Sequence, residues 1–371
     1  MFFLHSMHLI VGITIGLLGF SLLVGIHEFG HFIFCKLFGI HTPSFSIGFG
    51  PKIISKKIGD TLFSLSLIPF GGYVEIAGNE EIGQGEQKHS HQDDAASFKN
   101  KPLYQKILVM SGGIICNILL CWVILFFLFF KGAPPSPLLA PYTISTTIEK
   151  ANASGTHFDS PLQDKDIIIA IDQTRVLNNY ELFSSIIQAS ANKTVIIELE
   201  RNGTIIKQPV IVYLCPQSNK GFLDITPTTH SAQSLSIVSS IVAASIMLPK
   251  LAILFFNSLK TLCAQRSLQG VGGPLMIMSI ITQTAQKDFS LFLLFIAFIS
   301  IQLAALNILP LPIFDGGQIM TLSIEKLIGR TIPEKISYFI QIGSWIAVLT
   351  LMIYLSYTDI LRIFPALKNI F

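Results

Sequence analysis

Long runs of apolar residues without a charged side chain dominate the sequence. A helix needs about 20 such residues to cross the hydrocarbon core of a bilayer. The runs that reach this length are Met7–Ile26, Ile107–Phe130, Phe289–Phe314 and Ile336–Thr358. We therefore predict a polytopic α-helical membrane protein with four transmembrane helices.

Two weaker uncharged stretches lie in the region 228–288. Thr228–Pro249 is rich in serine, and Ser267–Gln286 contains several glycines and Pro274. We interpret this region as surface or partly inserted helices. If both stretches crossed the membrane, residues after them would keep their side; a single crossing would prevent the site predicted below from assembling.

Two other regions show the alternation typical of β-strands. Thr194–Leu199 and Thr204–Tyr213 flank Asn202-Gly203, a strong hairpin signal, and predict a β-rich domain over 142–215. Within the loop 39–105, Thr61–Ile68 also alternates and glycines punctuate its flanks. This loop is predicted to form a β-hairpin associated with the membrane interface.

Composition and charge agree with a membrane protein and indicate its orientation. The chain is 51% apolar and 13% charged, and its net charge of +3 is too small to suggest nucleic acid as a partner. Lysines concentrate in the loop 39–105, between the first two spans, so this loop is predicted to face the cytoplasm. The N-terminus and the β-rich domain are then extracytoplasmic.

The strongest chemical signal is His27-Glu28-Phe29-Gly30-His31 at the end of the first span. A spacing of four places both imidazoles on one helix face, where they can bind one metal ion with the carboxylate beside the open position. Such a motif can arise by chance in a soluble helix. Ionisable residues in a membrane helix are costly, however, and this favours a functional site.

Asp315 is the best candidate for a third ligand. It follows Pro310 and Pro312, which must break the third apolar run, and precedes Gly316-Gly317, which would allow unusual backbone angles. His27 lies about 30 Å along a helix from Met7, close to the thickness of the hydrocarbon core. Asp315 falls at the same end of a span running in the same direction, so both halves of the site are predicted at similar depth, near the cytoplasmic side.

Taken together, these motifs resemble the bacterial site-2 proteases, of the regulator-of-sigma-E protease type. The resemblance covers nearly the whole chain, in the family's order. From the apolar runs we assign 1–38 to the first transmembrane helix, 106–131 to the second, 289–317 to the third and 336–360 to the fourth. The matching motifs are His27–His31, Phe45–Gly50, Ile68–Val74, Gly112-Gly113 with Asn117, Gly273-Pro274, and Asn307–Gly317.

The resemblance implies an activity and roles for named residues. Zn²⁺ would be held by His27, His31 and Asp315, Glu28 would act as general base, and Asn307 would contact the substrate or the developing oxyanion. The hairpin would offer an edge to an unwound substrate. The implied substrate-binding residues are Gly48, Gly50, Phe70, Gly71, Gly72, Asn307 and Pro310.

The β-rich domain resembles the family's PDZ module, although the family's Ala-Gly-Leu and Gly-Asp elements are degraded in Ser160–Asp172. The resemblance implies a zinc metalloendopeptidase of the inner membrane. Its substrates would be single-pass transmembrane proteins, such as anti-sigma factors or remnant signal peptides, trimmed first by an upstream site-1 protease. Two alternatives stay open: a metal-ion transporter, and an inactive scaffold of the same fold.

Overall fold

A computed structural model describes residues 2–363 except 80–87, 90–92, 135, 140–143, 151–160, 164–165, 178–179, 216–219, 224, 230–233 and 266–271. The helices are α1 (Phe2–Leu37), α2 (Leu103–Lys131), α3 (Tyr180–Ala189), α4 (Ile237–Gln265), α5 (Pro274–Lys287), α6 (Phe289–Ile308), α7 (Asp315–Ile328) and α8 (Glu334–Ile363). The strands are β1 (Ser44–Ile58), β2 (Thr61–Val74), β3 (Ile144–Lys150), β4 (Ile167–Ile171), β5 (Thr174–Arg175), β6 (Thr194–Arg201), β7 (Thr204–Ile211), β8 (Tyr213–Cys215), β9 (Lys220–Phe222) and β10 (Ile225–Thr229).

Within these described ranges, five helical segments are long and apolar enough to cross a membrane: Thr14–Leu37, Leu103–Lys131, Ile237–Leu262, Phe289–Ile308 and Lys335–Arg362. Four of them coincide with the runs predicted from the sequence. The remaining one belongs to α4, in the region 228–288 that was predicted to hold surface or partly inserted helices. A count of four crossings therefore stays a prediction.

The chain divides into two compact units, and the first comprises Met1–Leu125 with Ala244–Phe371. Inside this unit, α1 packs closely on later helices because glycines leave room. A Cβ added to Gly16 would lie 3.0 Å from Ile281 of α5, and one added to Gly19 would lie 2.9 Å from Ile296 of α6. Small residues of this kind let membrane helices approach each other.

The predicted hairpin of β1 and β2 is present in this unit, but it is more folded than a simple ribbon. The outer half of β1 pairs antiparallel with the start of β2, as in Ile58 opposite Thr61. The first residues of β1, Ser44–Ile47, lie beside Leu62–Leu65 on one side and, through Phe45–Ile47, beside Gly72–Val74 on the other. Gly72–Val74 is therefore an outer segment of this sheet, whereas Leu62–Leu65 is flanked on both sides.

The second unit, residues 126–243, contains the β-rich domain. Its main sheet has the order β10-β3-β4-β6-β7, with β5 paired to β4, and β8 pairs with β9 separately. The predicted hairpin is confirmed, since Arg201 pairs with Thr204 across Asn202-Gly203, both of which have positive φ. The buried core includes Leu162, Ile168, Ile171, Val176, Phe183, Ile187, Val195, Ile197, Leu199, Val210 and Val212.

The sheet of this unit extends beyond the predicted limits of 142–215. β10 pairs antiparallel with β3, for example Thr226 with Glu149, so Ile225–Thr229 belongs to the same sheet. Local alternation could not reveal this pairing, because the two strands are far apart in sequence. The predicted helical region consequently begins later, at Ile237 rather than 228.

Candidate metal centre

Two imidazoles face each other on α1. His27 and His31 are 8% and 5% exposed, and their Nε2 atoms are 3.2 Å apart. Their rings meet edge to face with centroids 4.9 Å apart. The spacing of four residues thus produces the shared helix face that the sequence predicted.

Asp315 reaches the same point from a distant part of the chain. Its Oδ2 lies 3.3 Å from His27 Nε2, and its Oδ1 lies 3.6 Å from His31 Nε2. The helix break predicted at Pro310 and Pro312 is present, because α6 ends at Ile308 and α7 begins at Asp315.

The predicted reason for Gly316-Gly317 is wrong, because both lie inside helix α7 and neither has a positive φ. Steric room explains them instead. A Cβ on Gly316 would lie 2.6 Å from the carbonyl carbon of Ile308, and one on Gly317 would lie 2.8 Å from Pro312 N. Only glycine lets the start of α7 fold back against the end of α6.

The three side chains fit a metal ion. Tetrahedral zinc with ligand distances of about 2.0–2.1 Å needs donor atoms about 3.3–3.4 Å apart. The two Nε2 atoms are 3.2 Å apart, and His27 Nε2 is 3.3 Å from Asp315 Oδ2, both close to that value; the 3.6 Å contact with His31 Nε2 is made by the other oxygen, Oδ1. Asp315 Oδ2 is buried and accepts no hydrogen bond from any described residue, as expected of an atom reserved for a cation. Across the described ranges, this is the one group of three potential ligands that converges.

Helix α2 supports both imidazoles. His31 Nδ1 is 2.8 Å from the Val109 carbonyl oxygen, and the Asn117 carboxamide is 3.2 Å from His27 Nδ1. Gly113 of α2 lies close to both imidazoles, because an added Cβ would be 2.6 Å from both His27 Nδ1 and His31 Nε2. Gly112-Gly113 and Asn117 were among the motifs that resemble the family, but no role in the site was predicted for them.

Glu28 connects the metal centre to the hairpin. Its side chain is buried, at 8% exposure, and its Oε2 accepts a hydrogen bond of 3.2 Å from Val74 N of β2. A Cβ on Gly72 would lie 3.7 Å from Glu28 Cγ. The outer segment Gly72–Val74 therefore runs directly beside the carboxylate.

The other predicted site residues occupy different positions. Asn307 is 8% exposed on the last turn of α6, and Pro310 lies exposed in the break that follows. Gly48, Gly50 and Gly71 have φ of +85°, +86° and +97° and shape the bends of the hairpin. Phe70 lies within β2, but its side chain is outside the described part of the structure.

A buried His-His-Asp cluster beside a glutamate, in a chain rich in membrane-length helices, is the arrangement expected of a membrane-embedded metallopeptidase. The model of peptidase family M50 matches residues 15–351, and the chain belongs to this family. It is a multi-pass membrane protein.

Named relatives match over nearly their whole length. A Clostridium perfringens protein provisionally named a zinc metalloprotease is 29% identical, over 96% of this chain and 99% of its own. A Helicobacter pylori protein with the same provisional name is also 29% identical, over 94% and 99%. The zinc metalloprotease RasP of Shouchella clausii is 26% identical, over 93% and 97%.

Proposed function

We propose that this chain is an intramembrane zinc metalloendopeptidase that cleaves single-pass membrane proteins within or beside their transmembrane segment. The observation that carries the proposal is the convergence of His27, His31 and Asp315 within ligand distance of one another. The zinc metalloprotease names of the relatives agree with this donor set. When bound, zinc supplies a Lewis acid that lowers the pKa of water to about 7.

Glu28 is the general base in this proposal. Its carboxylate takes the proton of the attacking water and later delivers it to the leaving amine. The hydrogen bond from Val74 N to Oε2 orients this carboxylate beside the metal centre. Asn307, buried on the last turn of α6, donates a hydrogen bond from its side-chain amide N–H to the developing oxyanion of the substrate.

The outer segment Gly72–Val74 is where we place the substrate. A transmembrane helix hides its peptide bonds in internal hydrogen bonds, and pairing as an added strand exposes them. In the described part of the chain, Gly72–Val74 pairs with β1 on one side only, and the Val74 N–H on the other side points to Glu28. An added strand would therefore pass the carboxylate. Leu62–Leu65, within the predicted Thr61–Ile68 strand, is flanked by β1 on both sides and is a poorer edge.

The proposed topology has four crossings in the cell inner membrane, with the site near the cytoplasmic side. One extra crossing by α4 alone would place Asp315 on the opposite side from His27, with which it is in contact. We therefore place α4 along the outer surface, and the PDZ-like domain of 142–215 outside the cytoplasm. Anti-sigma factors and remnant signal peptides, trimmed by a site-1 protease, are the proposed substrates.

Topology is tested by labelling introduced cysteines with an impermeant reagent in intact spheroplasts. Single cysteines at Asn202, Ser236 and Lys260 should all react, whereas one at Lys88 should react only after lysis. Reaction at Ser236 without reaction at Lys260 would show that α4 crosses and would refute the four-crossing topology. Reaction at Lys88 before lysis would invert the orientation.

The activity is tested with the purified chain, zinc analysis and a model transmembrane substrate in detergent. Glu28→Gln should retain zinc and lose cleavage, whereas His27→Ala should lose both. A transporter would move metal ions in vesicles and would cleave nothing. An inactive scaffold would bind zinc without turnover in the wild type. Near-normal cleavage by Glu28→Gln would refute the proposed mechanism.

A further inference from the structure

The inference concerns Asn117, a fully buried amide in α2. Its Nδ2 lies 3.2 Å from Nδ1 of His27. Its Oδ1 is buried and has no hydrogen-bond partner among the described residues. The acceptor end of this side chain is therefore unused, while its donor end faces a ring nitrogen of a proposed zinc ligand.

The protonation needed for metal binding decides how the two groups must meet. His27 points Nε2 at His31 and Asp315, so Nε2 carries the lone pair, and the proton of the neutral ring sits on Nδ1. An N–H on Nδ1 facing an amide NH₂ is a contact between two donors. The two ends of a carboxamide have nearly the same shape, so exchanging them keeps the packing and converts this contact into a hydrogen bond.

We infer that Asn117 Oδ1 accepts a hydrogen bond from His27 Nδ1–H and that Asn117 is a positioning residue of the metal centre. This inference rests on the proposed zinc site. The other imidazole already shows the same arrangement, because His31 Nδ1 donates to the Val109 carbonyl oxygen at 2.8 Å. Acceptors at the second ring nitrogen fix the tautomer and orientation of ligating histidines.

Asn117 also joins the elements that carry the ligands. Its main-chain oxygen accepts a 2.8 Å hydrogen bond from Ser300 Oγ of α6, the helix that leads to Asp315. Its side chain meets α1 at His27. The backbone of Gly113 also contacts the His27 ring and is the competing acceptor. The experiment must therefore distinguish the Asn117 amide from this backbone group.

The test measures zinc affinity of the full chain in detergent by competition with a chelator of known affinity. Asn117→Leu and Asn117→Ala remove the acceptor and should weaken zinc binding about 10- to 100-fold. Asn117→Asp keeps an oxygen acceptor and should stay within a few-fold of wild type. Cys121→Ala, which removes a buried side chain one turn further along α2, is the matched control and should match wild type.

A second readout follows the geometry of the ligand itself. With Co²⁺ in place of zinc, the visible spectrum should shift in Asn117→Ala and stay near wild type in Cys121→Ala. Wild-type affinity in both Asn117→Leu and Asn117→Ala would overturn the inference and leave Gly113 as the acceptor. Weaker zinc binding by Asn117→Asp than by Asn117→Leu would also overturn it, because a residue needed only for packing would tolerate leucine better than a buried carboxylate. A wild-type chain that binds no zinc would refute the proposed function first.

Discussion

The contact between Gly30 of α1 and Gly112 of α2 should control the metal centre, because it sets the distance between the two helices. A Cβ added to Gly112 would lie 2.5 Å from Gly30 O and 2.9 Å from Phe34 Cδ2. Ordinary contact begins at 3.4 Å. Restoring that spacing from 2.5 Å requires the helices to separate by about 0.9 Å, since the backbone of Gly30 cannot rotate away.

That displacement is large for the bonds that hold the imidazoles. If it fell on the 2.8 Å contact between His31 Nδ1 and Val109 O, the distance would grow to about 3.7 Å, beyond hydrogen-bonding range. Loss of such a supporting acceptor weakens metal binding about 10- to 100-fold, and a shift of about 1 Å at a catalytic centre can cost about 100-fold in rate. Gly112→Ala should therefore bind zinc less tightly and turn over at about 1% of the wild-type rate.

The assay combines zinc competition with cleavage of a model transmembrane substrate. Gly25→Ala is the matched control on α1, because its Cβ would meet Ile47 at an ordinary 3.5 Å. Gly30→Ala should resemble Gly112→Ala, and the double variant should fall short of the sum, since both act through one separation. Wild-type affinity and turnover in Gly112→Ala would refute the idea that this contact sets the site.

Three further predictions concern two buried carboxylates, Asp166 and Asp359. Burial favours a higher pKa for Asp166, but the hydrogen bonds donated by the Arg201 guanidinium and by the main-chain N–H of Gln163 outweigh it and hold the pKa below its usual range. The stabilisation by ionised Asp166 is present above its unfolded pKa of about 3.9 and is lost as pH falls through the lowered folded pKa. The resistance of this domain to proteolysis should therefore decline below about pH 4 in the wild type. That acid-dependent loss should be smaller in Asp166→Asn. Arg201→Leu should be the more damaging change at neutral pH, since it leaves a fully buried carboxylate without its cation. Asp359→Ala should lower the unfolding free energy by about 1–2 kcal/mol in detergent, because Asp359 accepts hydrogen bonds from Gly273 N and Met276 N at the start of α5. The control is Thr358→Ala, whose hydroxyl donates to Leu355 O of its own helix, and equal stability of the two variants would contradict the prediction.

Short-range patterns predicted much of the fold and the shared helix face of His27 and His31. A spacing of four between His27 and His31 is a property of any helix, and two prolines must interrupt α6 wherever that helix packs. Asn202-Gly203 likewise fixes a tight turn through its own backbone preference. These features follow from a few neighbouring residues, so no knowledge of the tertiary structure was needed.

Long-range pairings escaped prediction because nothing local encodes them. β10 joins the sheet beside β3, and Asp359 of α8 caps α5 from 83 and 86 residues away. α4 carries the length and apolarity of a membrane span, yet composition alone does not say whether a helix crosses a bilayer or lies against it. In each case the deciding energy lies in a partner elsewhere in the chain.

The support of the metal centre shows why a ligand motif is only part of a site. Two histidines and an aspartate are recognisable in a sequence as possible metal ligands, but a glycine has no functional side chain from which a role could be predicted. Gly30, Gly112 and Gly113 matter because they lack a Cβ, which would clash with the other helix or with the imidazoles. A bare stretch of backbone thus brings the Val109 carbonyl within reach of His31. The motif on α1 can bind a metal in the right geometry only because Gly112 and Gly113 of α2 have no side chains where the two helices cross.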